Sequence, residues 1–134
     1  MKGRLDIDLE RRLGRVSELI YGQFLSRRPG VAERGLHDPS HPAARPDGLR
    51  ADVLEKIAEA RPTIIRWPGG CTGTSYRWMD GIGANRPQKI DLHFGYPATY
   101  GFGTDEFIAF CRELQAEPLI VWAMGVSSPV AAIE

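Results

Sequence analysis

The stretch TIIRWPGGCTGTSYRW, from Thr63 to Trp78, sets an arginine, a thiol and several aromatic rings around one abrupt break in the chain. Pro68-Gly69-Gly70 lets the backbone turn sharply and approach a ligand closely, because glycine tolerates positive φ. It is not a phosphate loop, since it lacks the lysine and hydroxyl of GxxxxGK[ST]. Cys71 follows directly. A cysteine nucleophile needs an activating base, and no histidine stands near it in sequence, so its residue type fits the wall of a pocket better than an attacking group. Arg66, inside the apolar run, is expected to pair with a carboxylate within a sheet.

Other residues with chemical potential are scattered. His37, His41 and His93 are too irregularly spaced for a metal-binding helix and read as surface loop residues. Glycosidic-bond hydrolysis needs two carboxylates flanking one bond. Asp38, Asp80, Asp105 and Glu106 lie in loops or at a helix start, and no pair stands out. Tyr76, Trp78, Phe94, Tyr96 and Tyr100 concentrate aromatic rings in one region. Such rings stack on sugars or form a minor satellite core, and composition alone does not choose.

The elements that must position these residues follow from periodicity. RLDIDLE alternates strictly, with Leu5, Ile7 and Leu9 on one face, and predicts a half-buried strand. LIYGQF, Leu19 to Phe24, is a second strand candidate. Leu25 to Gly48 reads as a long loop. LRADVLEKIAEA then places Leu49, Val53, Leu54, Ile57 and Ala58 on one stripe and predicts a helix, with Asp47 able to begin it and Pro62 beyond its end. TIIRW is a short buried strand, and residues 68 to 103 are loop-like. TDEFIAFCRELQA predicts a helix with Thr104 as its cap. PLIVWA is a further strand, and Ser128-Pro129 begins another helix. Alternating strands and helices imply a parallel sheet with helices packed over it. Long excursions follow the carboxyl ends of the first two such strands, where ligands bind in folds of this class.

Composition sets limits. At 134 residues the chain has the size of one domain and can bury about two-thirds of its unfolded surface. Lys plus Arg and Asp plus Glu each number 17, and that balance argues against a nucleic-acid or anionic-membrane partner. The cluster Arg11, Arg12 and Arg15 reads as a solvated face. No apolar run resembles a signal peptide or a membrane span. The two cysteines form no metal pattern and no CxxC, which is the usage of a reduced, cytoplasmic chain.

Taken together, IYGQFL, HDPSHP, DGLRADVLEKIAEARPTIIRWPGGC, SYRWMDGIGANRP and FGTDEFIAFCRELQAEP resemble the N-terminal part of glycoside hydrolase family 51, the α-L-arabinofuranosidases. The resemblance runs from about Leu5 to Pro129. It implies the first three or so βα units of a (β/α)8 TIM barrel over residues 13–134, and over residues 1–12 a strand belonging to an accompanying β-sandwich. It also implies a retaining, exo-acting enzyme that releases terminal arabinofuranose from polysaccharides or oligosaccharides, without a metal or other cofactor, as a homo-oligomer when complete. The family's acid/base lies in an Asn-Glu pair after the fourth barrel strand and its nucleophile on a later one. The only asparagine here is Asn85, followed by Arg86. Neither catalytic carboxylate is therefore expected in this chain. What carries over is the near half of the sugar pocket: Cys71 at a position lining the arabinose subsite, and Phe94 where many members have a tryptophan beside the leaving group. Trp67 and Gly70, at the same strand exit, are counted with them. Ser26 departs from the pattern, since members usually have Glu-His where this chain reads Ser26-Arg27, and that Glu bonds the sugar hydroxyls. Around Ala98 and Tyr100 the chain also departs from a common Glu-Thr-Asn pattern. A diverged relative that binds sugar without cleaving it, and a remnant with no function of its own, are the alternative readings.

Overall fold

A computed structural model describes residues 3–91 and 93–123. Three parallel strands form its sheet in the order β1 (Gln23–Phe24), β2 (Ile64–Trp67) and β5 (Glu117–Ile120). Phe24 pairs with Arg66 and Arg66 with Leu119, so one residue from each strand lies in a single row. Helix α1 (Ala51–Ala60) connects β1 to β2, and helix α2 (Thr104–Leu114) leads from the long second excursion into β5. That excursion carries the antiparallel pair β3 (Lys89–Ile90) and β4 (Pro97–Ala98). The predicted alternation of strand and helix is the architecture observed.

The sheet is covered on one face only. In β2, Ile65 and Trp67 are buried while Ile64 and Arg66 are half-exposed, the period-two pattern of a strand with one side packed. Trp67 stacks on Phe107 of α2 at 5.5 Å between centroids and meets the edges of Phe102 at 5.2 Å and Tyr76 at 5.8 Å. Leu54 of α1 and Phe110 of α2 close the same core. The PLIVWA strand forms as β5, and all four of its residues are exposed, because it is the outer edge of the described sheet.

Several boundaries differ from the sequence reading. Leu19 to Phe24 splits into a 3-10 turn over Glu18–Tyr21, capped by Ser17, and the short β1. α1 begins at Ala51. Asp47 instead accepts the Leu49 amide at 3.1 Å and ends the preceding turn. α2 has Gly103, not Thr104, at its cap. A Cβ on Gly103 would lie 2.2 Å from the carbonyl oxygen of Gly81, so two backbones meet there and only glycine fits. Glu106 supplies the missing cap by accepting the Gly103 amide at 2.8 Å. Thr104 spends its hydroxyl on Tyr76 and on the Trp78 carbonyl.

The predicted N-terminal strand is not formed. Leu5, Ile7 and Leu9 are 84, 74 and 82% exposed, and no described residue pairs with them. An alternating segment gains its stability from a partner strand and a covered face, and neither is supplied among the described residues. The helix expected from Ser128 lies outside the described residues. Among the described residues, no helix is long and apolar enough to cross a membrane.

Candidate functional site at the carboxyl ends of β1 and β2

Backbone pairing continues past the regular strands. The Leu25 amide donates to the Arg66 carbonyl at 2.9 Å and the Arg27 amide to the Pro68 carbonyl at 2.8 Å. Side chains therefore keep alternating through residue 27: Phe24 and Ser26 face the open side of the sheet, and Leu25 and Arg27 face the core. Ser26 is thereby held against the Pro68-Gly69-Gly70 turn. Gly69 has φ of +138°, and a Cβ there would sit 2.2 Å from Thr72 Oγ1 and 2.9 Å from Ser26 Oγ. Glycine is required by conformation and by space at once. Thr72 is buried and donates its hydroxyl to the Pro68 carbonyl at 3.1 Å, which fixes the turn from below.

The chain then runs into a 3-10 turn over Cys71–Thr74. Cys71 is exposed, and Gly70 has only the tip of the Phe24 ring within 4 Å of where a Cβ would stand. Sequence reasoning did not place Phe24 and Arg66 here. The Arg66 guanidinium lies over the Phe24 ring at 5.0 Å, and among the described residues no carboxylate pairs with it, contrary to the expected ion pair. Phe24, Gly70 and Cys71 are exposed and Arg66 half-exposed at one open corner above the sheet, while Ser26, only 6% exposed, is buried against the Gly69 turn at its edge.

Trp67 does not belong to that corner. Its side chain is 0% exposed and enclosed by aromatic rings, so the residue positions the turn without meeting a ligand. Phe94 sits on the second excursion and is 41% exposed. Tyr96 stacks on it at 6.2 Å, and Arg28 lies over it at 4.6 Å. The aromatic concentration therefore divides: Tyr76 and Tyr100 enter the core, Tyr96 packs against it, and Phe94 stacks on Tyr96 from outside. His37 is half-buried near Phe102, and that burial holds its imidazole below the usual value; His93 remains exposed.

The carboxylates expected in loops are committed. Glu106 binds Arg86 through both oxygens at 2.6 and 2.9 Å, with burial opposing and these bonds favouring its ionised form, the balance holding it below the usual value. Asp80 pairs with Lys89, and Asp38 holds the Ser40 hydroxyl and amide. A separate cavity of about 500 Å³, between α1 and β1, is lined mainly by apolar groups such as Val53, Ile57 and Phe110 and belongs to the packing of helix on sheet.

Residues 56–134 match the alpha-L-arabinofuranosidase 1 domain. The chain superposes on the GH51 alpha-L-arabinofuranosidase of Thermotoga petrophila, with a TM-score of 0.84, 38% identity, and 88% of this chain covered against 25% of that one. The chain belongs to the glycoside hydrolase family 51 α-L-arabinofuranosidases. Among curated relatives, the intracellular exo-alpha-(1->5)-L-arabinofuranosidase 1 of Bacillus subtilis is 37% identical over 133 residues, which is 98% of this chain and 27% of that protein. The intracellular exo-alpha-(1->5)-L-arabinofuranosidase of Streptomyces lividans is 34% identical over 98% of this chain and 20% of its own. A Thermotoga maritima alpha-L-arabinofuranosidase solved as an arabinose complex superposes with a TM-score of 0.81 at 38% identity, over 84% of this chain and 24% of that one. This arabinofuranosidase chain spans about a quarter of the length of the relatives it matches.

Proposed function

We propose that the chain supplies the near wall of the arabinofuranose pocket of a retaining, exo-acting α-L-arabinofuranosidase. The first βα units of a (β/α)8 barrel would carry it, residues 1–12 would join a β-sandwich, and the catalytic glutamates would come from later strands. The complete protein would act in the cytoplasm, as a homo-oligomer, on arabinose-containing saccharides. The observation that carries this reading is the open corner where Ser26 abuts the Gly69 turn and Cys71 and Gly70 stand exposed. It lies at the carboxyl edge of parallel strands, where α/β folds bind their ligands. Phe94, on the neighbouring excursion, would meet the leaving group.

The departure at Ser26 favours, as the second reading, a diverged relative that binds sugar without cleaving it. Arg27 turns into the core, so it does not replace the sugar-binding carboxylate expected at Ser26.

Thiol chemistry tests the pocket. Cys71 is exposed, whereas Cys111 is 1% exposed and burial pushes its thiol up to about 11, which disfavours the reactive thiolate. Of these two thiols, a maleimide should modify Cys71 in the native protein and reach Cys111 only after denaturation. Saturating L-arabinose should slow the Cys71 reaction several-fold, and an unchanged rate would remove Cys71 from the sugar site.

A further inference from the structure

Arg27 is a charged residue at a core-facing position, 1% exposed, and the pocket just described does not use it. Its Nη2 donates to Asp91 Oδ2 at 2.7 Å, across 64 residues of sequence. Asp91 is also buried. Its second oxygen, Oδ1, accepts the amides of His93 at 3.0 Å and Phe94 at 2.9 Å. The Asp91 backbone closes the same turn, its amide donating to Tyr96 O and its carbonyl accepting from Gly95, both at 2.8 Å. One carboxylate thus joins the guanidinium at the end of β1 to the turn that presents Phe94.

The rest of the guanidinium has no second strong partner. It lies over the rings of Tyr100 at 4.7 Å and Tyr76 at 5.5 Å, Glu33 Oε1 stands 3.8 Å from Nη1, and neither Nε nor Nη1 makes a hydrogen bond. A buried charge held mainly by one acceptor requires that acceptor to stay in place, because either ion left alone would be desolvated and uncompensated. The end of β1 and the turn on the second excursion are therefore mechanically coupled. The first bears Ser26, and the second bears Phe94.

We propose that Arg27 is a positioning residue for the leaving-group side of the pocket, holding the Phe94 turn in place through Asp91. The assignment of Phe94 to that side rests on the function proposed above. The latch itself rests on the hydrogen bonds alone. Loss of the latch releases the turn but leaves the Gly69–Cys71 corner intact, so a single arabinose keeps its contacts while a sugar attached to it loses one.

The test uses the protein carrying this chain and two probes, L-arabinose and a non-hydrolysable, sulfur-linked analogue of the α-1,5-linked arabinose disaccharide. In Arg27→Met, the amides of His93 and Phe94 should exchange at least tenfold faster, while those of Leu54 and Arg66 keep their protection. Affinity for the disaccharide should fall about tenfold with arabinose binding unchanged. Arg27→Lys, which still offers Asp91 an ammonium donor, should recover part of both losses. If Arg27→Met loosens the whole fold, seen as faster exchange at Leu54 and Arg66 too, Asp91→Asn replaces it. That variant keeps an acceptor for the two amides and removes the charge, and the same local acceleration is expected. Unchanged exchange at His93 and Phe94 would overturn the latch. An equal loss of both sugars would overturn its role at the leaving-group side. If the unaltered protein binds neither sugar, the arabinose reading falls together with that role, and amide exchange alone decides whether Arg27 holds the turn.

Discussion

The 134-residue chain on its own is expected to leave an aryl α-L-arabinofuranoside intact. Retaining hydrolysis needs a nucleophile and an acid/base carboxyl about 5 Å apart on either side of one bond. Carboxylates of the second excursion and of the start of α2 are already engaged: Asp91 by Arg27 and two amides, Asp80 by Lys89, and Glu106 by Arg86. Glu33 is buried and faces Arg27, and its burial raises its pKa and so favours the uncharged form. None is free to attack an anomeric carbon above Gly70. Release of the aryl group should therefore match the uncatalysed rate. Turnover above that background, abolished by a single Asp or Glu substitution within these residues, would show that the chain holds catalytic carboxyls of its own.

Trp67→Ala should be among the most damaging single changes. The indole is fully buried, stacked on Phe107 with 15° between planes and packed edgewise by Phe102 and Tyr76. Truncating a buried tryptophan costs about 3–5 kcal/mol, through lost burial and the cavity left behind. Part of the loss comes from ring pairs worth about 0.5–1.5 kcal/mol each. Trp67 also ends β2, where its carbonyl accepts the Val121 amide at 2.7 Å, so its loss should disturb the Pro68–Cys71 turn as well. Chemical denaturation of the protein would show the loss as a lower midpoint. Trp67→Phe keeps a ring against Phe107 and should recover much of the stability. A loss below about 1 kcal/mol, the size of an ordinary substitution, would mean that the aromatic cluster does not hold this end of the sheet.

Local periodicity made the scaffold legible. The stripe Val53, Leu54 and Ile57 marked α1, and the short apolar run of TIIRW marked β2, although as a buried strand, whereas only Ile65 and Trp67 are buried. Long-range contacts account for the misses. Thr104 has the chemistry of a cap, but the close approach of the Gly81 and Gly103 backbones moved the cap one residue back. The alternation of Leu5, Ile7 and Leu9 is real, yet a strand forms only where something pairs with it. Trp67 was grouped with the pocket because it is aromatic and next to the turn, whereas strand alternation sends its side chain to the opposite face. Arg27 was hidden for a related reason. Reading β1 as ending at Phe24 removed the alternation that aligns Arg27 with Leu25, and its partner Asp91 lies on a distant excursion with no sequence signal linking the two.

Amide resonances of the protein recorded during an L-arabinose titration test the central claim most directly. Saturable shifts are expected to concentrate at residues 25–28 and 69–72, the two strand ends that form the corner, with Leu54 and Phe110 unmoved. Shifts confined to another surface, or none at saturating arabinose, would contradict an arabinofuranose site at the carboxyl ends of β1 and β2.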